Sequence, residues 1–286
     1  MYRPKLILLV GIPGSGKTMY AENYIERNND TIHLSSDAIR KELYGDESVQ
    51  GDPAEVFSLM RQRAIELLNE GHNVVYDATN MTRKDRACII GACPRFVQIE
   101  CHIIWAPIEE CIKRDAARER TVGKEVIDRM IKRFQAPYYD EGIDEIMIVR
   151  TYYSDEYYQK CFEDMQIPHD NPHHTLSIYE HCIAARDCIT STTHDMYHAA
   201  WWHDIGKPYV KSFIDSKGNV GDIAHYYGHQ CVSAWISYGL FGVTPKIAWL
   251  ISTHMDPFLN TKYWRNLPAF LKKDIDLLHE ADLAAH

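Results

Sequence analysis

The chain has 286 residues, enough for two domains of ordinary size. Hydrophobic residues make up 45% and charged residues 25%, a globular balance that excludes a disordered tail, a collagen-like repeat or a small disulfide scaffold. The formal net charge is −9, and neither half carries the basic excess of a protein that grips long stretches of nucleic acid. A few well-placed arginines could still hold a nucleic-acid end. Of the 15 histidines, 12 follow residue 150, so a residue type that supplies metal ligands is concentrated in the second half.

Lys5–Val10 is a short continuous apolar run, as expected of a strand buried on both faces. Gly11-Ile-Pro-Gly-Ser-Gly-Lys-Thr18 follows, then a helical stretch from Lys17 to Arg27. This is the strand–loop–helix context that G-x-x-x-x-G-K-[ST] requires. Gly11, Gly14, Ser15 and Gly16 let backbone N–H groups point inward at phosphate oxygens. Lys17 reaches the terminal phosphates of ATP or another nucleoside triphosphate, and Thr18 holds Mg²⁺. Strands at Thr31–Ser35, Asn73–Tyr76 and Phe96–Trp105 alternate with helices at Asp37–Tyr44, Ala54–Asn69, Arg83–Cys93, Ile108–Arg118 and Lys124–Gln135. The alternation predicts a parallel sheet with helices on both faces. Asp37 and Asp77 then fall at carboxyl ends of strands, where sites of such sheets lie.

Asp77 ends a strand opposite the phosphate loop, where a Mg²⁺-linked carboxylate belongs. Asp37 and Arg40 share one face of a helix start. There a carboxylate can accept a proton and an arginine can hold a phosphate. An N-cap aspartate beside a solvated arginine is the plainer alternative. Arg114, Arg118 and Arg120 precede Thr121-Val-Gly123 and suit a lid that closes over a triphosphate, although a solvated basic face has the same pattern.

Together, GIPGSGKT, Asp37-x-x-Arg40, Asp77-Ala-Thr-Asn80 and the arginines resemble the 5′-hydroxyl polynucleotide kinases of the end-healing P-loop family, over roughly residues 4–150. The resemblance implies that Asp37 is the general base toward a 5′-OH. It implies that Arg40 contacts the acceptor phosphate and that Arg118 or Arg120 clamps ATP.

Tyr138–Tyr158 is rich in tyrosine and acid, and reads either as base-stacking or as an interdomain packing surface. A break at Ile167–Pro172 places a linker over 151–168 between a domain at 1–150 and one at 169–286. Beyond it, Leu176–Ile189, Asp195–Ile205, His229–Tyr238, Pro245–His254 and Lys273–Ala285 read as helices around an Asp215–Asn219 turn, which predicts an all-α bundle. His181, His203-Asp204, His229, His254 and Asp282 come from separate helices and can converge on divalent metals. A mixed imidazole and carboxylate set suits Mn²⁺ or another transition metal as well as Mg²⁺.

The pattern His181…His203-Asp204…Asp282 resembles the HD phosphohydrolase superfamily. With His174-Thr-Leu-Ser-Ile-Tyr-Glu-His181 and Gly228-His229 it is most similar to the HD domain attached to some tRNA nucleotidyltransferases, whose members hydrolyse 2′,3′-cyclic phosphates and 2′-phosphates. The resemblance implies a metal-activated water, with His174 and Lys207 as substrate-phosphate contacts.

One chain with both chemistries would heal RNA or DNA ends for a separate RNA ligase. Known fusions of these two domains place the HD domain first, the reverse of the order here. A small-molecule kinase fused to a nucleotidase stays open on the acidic charge, and so does a P-loop nucleotide sensor with a structural HD domain. The cysteines are scattered with no CxxC pair, and no signal peptide or apolar span is evident, which reads as a cytoplasmic protein with no membrane contact. Oligomeric state is not legible.

Overall fold

The computed structural model describes residues 3–171, 175–189 and 193–285. Two compact units divide the chain. The first comprises Met1–Asp128 and Pro137–Tyr152, and the second comprises Arg129–Ala136 and Tyr153–His286.

The first unit contains β1 (Lys5–Val10), α1 (Lys17–Arg27), β2 (Thr31–Ser35), α2 (Ser36–Tyr44), α3 (Pro53–Asn69), β3 (Asn73–Asp77), α4 (Arg83–Ile90), β4 (Gln98–Trp105) and α5 (Ile108–Ala116). The helix α6 (Lys124–Ile131) carries the chain across the division at 128/129, and β5 (Glu145–Arg150) completes the first unit. The five strands form one sheet in the order β2-β3-β1-β4-β5, every pair parallel. The continuous apolar run of β1 is explained by its central place, since Leu6 to Val10 are 0% exposed. α1 packs on Ile7, Leu9, Val75 and Ile104 through Ala21, with Tyr20, Tyr24 and Ile25 around it. The order reverses at β1, so the loops after β1, β2 and β3 open on one edge, where such sheets bind ligands.

β5 lies inside the tyrosine-rich stretch that the sequence presents as a packing or stacking segment. Its Glu-Ile-Met-Ile-Val-Arg pattern is that of an edge strand, with partly exposed side chains and no fully buried residue. It pairs with β4 from Glu100↔Glu145 to Trp105↔Arg150.

The second unit begins, in chain order, with residues 129–136. Phe134 meets Trp235 and Tyr238 edge-on, and the Ala136 N–H donates to Ser252 Oγ at 3.2 Å. The stretch read as a linker holds a helix, α7 (Asp155–Asp164), whose Cys161 is buried in the second unit together with Met165. Then come α8 (Ile178–Cys188), α9 (His194–Trp202) and α10 (Lys207–Val210). The strands β6 (Ser212–Ile214) and β7 (Val220–His225) follow, then α11 (His229–Ser237), α12 (Pro245–Thr253), α13 (Asp256–Leu259), α14 (Lys262–Asn266) and α15 (Ala269–Ala284).

The all-α expectation therefore needs correcting, because β6 and β7 form an antiparallel hairpin. The Asp215–Asn219 turn was legible, and Asp215 Oδ1 accepts from the Lys217 and Asn219 N–H groups at 2.8 Å each. The flanking strands were not legible. They are short, solvent-exposed and mixed in polarity, so no alternation stands out. No helix among the described residues is long and apolar enough to cross a membrane. All eight cysteines are free thiols.

Candidate functional site

Each unit gathers the residues that the sequence singles out, in different ways. In the first unit the loop between β1 and α1 turns on Gly14 at φ +80° and Gly16 at φ +99°. A Cβ on Gly14 would sit 2.1 Å from the Cys111 carbonyl oxygen, so that position needs glycine for space as well as backbone. Lys17 curls back over the loop, and its Nζ donates to the Ile12 carbonyl at 3.0 Å. Burial lowers the Lys17 pKa, with Asp77 opposing and the nearby Arg118 charge adding to the shift.

Thr18 Oγ1 donates to Asp77 Oδ2 at 3.1 Å, so the hydroxyl and carboxylate expected to share Mg²⁺ are adjacent. His33 on β2, which no local motif marks, places Nε2 3.1 Å from the same oxygen. The turn after β3 is locked to the loop. Gly11 N–H donates to Thr79 O at 3.1 Å, and Asn80, at φ +46°, donates from Nδ2 to Leu9 O at 2.8 Å. Behind it Arg86 is fully buried. It donates to Asn80 O at 3.0 Å and forks onto Glu141 with two bonds of 2.7 Å.

Asp37 and Arg40 do share a face, with Arg40 Nη1 donating to Asp37 Oδ1 at 2.8 Å. Arg120 approaches the same oxygen at 3.5 Å. The Asp37 side chain is 52% exposed, open to an acceptor, while Arg40 is mostly covered and its Nε has no hydrogen-bond partner. Asp115, buried on α5, accepts from Val122 N–H at 2.9 Å and Gly123 N–H at 2.9 Å and so pins the loop that carries Arg118 and Arg120. Arg114 is separated from those two. It bonds to Glu110 at 2.8 Å and to the Thr151 hydroxyl at 3.1 Å. Thr151 Oγ1 in turn donates to Ser15 O at 2.7 Å. Thr151 thus braces the phosphate loop from the end of β5, a contact no local motif could reveal.

In the second unit four histidines and two aspartates from α8, α11, α15 and the ends of α9 and α12 converge. His181, His203, Asp204 and Asp282 form one group of donors, and Asp204, His229 and His254 form another, each within 4.8 Å. His203 and Asp204 follow α9 just past its last turn, which lets two adjacent residues face one point. His181 Nε2 lies 2.9 Å from Asp282 Oδ1 and 3.3 Å from His203 Nε2. His229 Nε2 lies 3.2 Å from both His254 Nε2 and Asp204 Oδ1.

The outer nitrogens explain this crowding. Nδ1 of His181, His203, His229 and His254 faces the carbonyl oxygens of Ala285, Ala200, Tyr226 and Ile251 at 2.7–2.8 Å. A carbonyl only accepts, so each Nδ1 carries a hydrogen and each Nε2 points inward, where in the neutral ring it offers a lone pair. Lone pairs 3.2–3.3 Å apart, beside two carboxylates, repel unless a proton or a metal cation lies among them. Asp204 is 1% exposed, and its two oxygens are crowded at 2.5–3.5 Å by the Lys207 ammonium and the rings of His181, His203 and His229. The donor set therefore fits transition metals of mixed N/O preference.

Burial opposes charge on His203, but Asp204 and Asp282 outweigh it and raise its pKa well above the ordinary value, so a metal binding there has to displace a proton from its Nε2. Burial likewise disfavours the Asp204 carboxylate, yet Lys207 and His203 hold it well below the usual range. His254 is pushed down to about 3 by burial and by its histidine neighbours, so it stays neutral and able to ligate. Lys207, expected at a substrate phosphate, is 6% exposed with Nζ 2.5 Å from Asp204 Oδ2. His174, expected beside it, lies outside the described residues.

A family model described as an AAA domain matches residues 6–137. That span holds the phosphate loop, Asp37, Arg40, Asp77, Arg118 and Arg120. No curated protein matches the sequence. Among solved structures the chain is similar to a chain of the Pnkp1/Rnl/Hen1 complex, at 27% identity over 44% of this chain and 43% of that one, TM-score 0.38. It is similar to a gluconokinase from Sinorhizobium meliloti 1021, at 17% identity over 54% and 86%, TM-score 0.39. It is also similar to a fungal RNA kinase, at 14% identity over 54% and 78%, TM-score 0.40. The chain spans less than half the length of the Pnkp1/Rnl/Hen1 chain. Its first unit is a parallel five-stranded sheet flanked by helices.

Proposed function

We propose that the chain heals broken nucleic-acid ends, phosphorylating a 5′-OH in its first unit and hydrolysing a 2′,3′-cyclic, 2′- or 3′-phosphate in its second. The observation that carries this reading is a pair of donor groups sharing Asp204, in the same chain as a complete phosphate loop. A strand break that leaves a cyclic phosphate and a 5′-OH needs both reactions before a ligase can act.

In the first unit the backbone of Gly11–Gly16 cradles the phosphates of ATP, and Lys17 leaves Ile12 O to meet them. Thr18 and Asp77 are the residues that would hold Mg²⁺, which supplies charge neutralisation across the terminal phosphates. Asp37 takes the proton from the attacking hydroxyl. Arg40 contacts the phosphate of the acceptor nucleotide, and Arg120 and Arg118 stabilise charge on the transferring phosphoryl.

In the second unit His181, His203, Asp204 and Asp282 would hold one metal, and Asp204, His229 and His254 a second, of the Mn²⁺ or Mg²⁺ class. Metals bound there would supply a nucleophilic water near neutral pH and polarise the phosphoryl oxygen. The protein's part is to fix the orientation of the four rings through their Nδ1 bonds, with each Nε2 turned inward, and to keep Asp204 anionic. Close packing around the site limits competing water.

The test is incubation with ATP, Mg²⁺ or Mn²⁺ and an RNA bearing 5′-OH and 2′,3′-cyclic phosphate ends. The wild type should modify both ends, Lys17→Ala only the 3′ end and His203→Ala only the 5′ end. Wild-type protein that leaves both ends unchanged sinks the reading. Transfer to a nucleoside or sugar, with none to oligonucleotides, would replace it by a small-molecule kinase.

A further inference from the structure

His169 lies in the break before α8, a place that suggests an ordinary packing residue. It is 1% exposed. Its segment is tied down on several sides. Lys211 Nζ donates to Pro168 O at 2.8 Å and to Asp170 Oδ2 at 2.7 Å. Ala224 N–H, on β7, donates to Asp170 O at 2.9 Å, and Pro168 bridges Ser177. The Tyr226 hydroxyl donates to His169 O. Held in this way, the ring meets His181 edge-on at 5.4 Å and Tyr226 at 6.0 Å.

Both ring nitrogens have partners. Nδ1 faces the Leu176 carbonyl at 2.9 Å, so Nδ1 carries the hydrogen. The Nε2 lone pair therefore faces Lys207 Nζ, 3.2 Å away. The ammonium of Lys207 has three N–H groups, and three acceptors surround it. These are His169 Nε2, Asp204 Oδ2 at 2.5 Å, and the face of Tyr226 with its centroid at 5.4 Å. Asp204 is the carboxylate common to both donor groups. A lysine tethered only to Asp204 would be free to swing over that carboxylate and compete with a metal for it.

We propose that His169 is a positioning residue of the second-unit site. It restrains the Lys207 ammonium at the Oδ2 edge of Asp204, so that Lys207 does not swing across the carboxylate shared by the two donor groups. This role rests on the reading of that site as a metal centre, and it gives Lys207 a restrained counter-cation's place there.

Two substitutions separate this role from packing. In His169→Asn the amide nitrogen replaces Nδ1 and keeps the Leu176 bond, but nothing reaches Lys207. In His169→Gln the longer side chain brings an oxygen to where Nε2 was. With full-length protein, Co²⁺ affinity is read from its visible spectrum, hydrolysis from bis(p-nitrophenyl) phosphate, and folding from the melting temperature. His169→Asn should weaken Co²⁺ binding and lower kcat about 10- to 100-fold, the usual cost of losing a partner behind the ligands, at unchanged melting temperature and KM. His169→Gln should recover most of both. Asn and wild type alike in Co²⁺ affinity and kcat would overturn the proposal. So would Gln and Asn equally impaired, with lowered melting temperatures, since that marks packing alone. Wild-type protein that binds no Co²⁺ overturns the metal-centre reading and this role with it. Wild-type protein that binds Co²⁺ but ignores RNA ends overturns only the end-healing function.

Discussion

In the first unit the candidate site is built mostly by the backbone. Successive residues from Gly11 to Gly16 shape the loop, and the helix that follows aims its positive end at the same place. Asp37 beside it stays half open. In the second unit the site is built by side chains, from donors more than 100 residues apart in sequence, all buried except the partly covered Asp282. A backbone cradle tolerates solvent because its N–H groups are fixed by the fold. A cluster of lone pairs and carboxylates needs exclusion of water and a partner behind each ring. On the proposed function, the difference would let one site take a large mobile ligand and the other small cations.

The largest effect expected from breaking this contrast is at Asp204. Asp204→Asn should abolish metal uptake and phosphodiester hydrolysis, measured by metal analysis and cyclic-phosphate cleavage, and leave 5′ phosphorylation intact. Nearly as large, Lys17→Ala should lower 5′ phosphorylation by about 10³-fold, the scale of a charge clamp in phosphoryl transfer, at unchanged metal content. If either substitution silences both reactions, the two sites do not act independently.

Arg86→Met removes one member of a buried pair and strands Glu141. The expected cost is about 3–5 kcal/mol, seen as a lowered melting transition of the first unit with Co²⁺ binding to the second unchanged. Thr151→Val deletes the brace on Ser15 O and should raise KM for ATP about tenfold, equivalent to the 1–3 kcal/mol of a lost buried hydrogen bond. Unchanged KM would show that the loop needs no support from β5.

The smallest effect concerns pH. Glu100 on β4 is held below its ordinary 4.5 by bonds from His102 and Lys5, against the opposing effect of burial. A depressed folded value stabilises above 4.5, and that stabilisation is lost as pH falls through the folded value. Glu100→Gln should therefore flatten the acid limb of stability below about pH 5 in denaturant melts, without moving the metal-dependent transition.

Several elements were legible because their signals are local. The run Lys5–Val10, the glycines at 11, 14 and 16 and the first turn of α1 lie within two dozen residues, and each restricts the next. Asp37 and Arg40 are one helical turn apart, so their bond follows from spacing. β5 escaped notice because an edge strand shows neither full burial nor strict alternation. The β6–β7 hairpin escaped for the same reason, although its turn did not. Thr151 and His33 carry no motif, and only the sheet's order brings them to Ser15 and Asp77.

The sequence by itself determined the phosphate loop, the parallel sheet behind it and which histidines and aspartates could ligate. Chain-local conformational restrictions decide such features, and they survive in the order of residues. Only the tertiary structure decided that Asp204 is shared by two donor groups. It also decided that the four rings turn Nε2 inward, and that Lys207 is caged by His169 and Tyr226 rather than exposed. Those facts depend on which helix ends meet and on which carbonyls face which rings, and packing over the whole unit sets both.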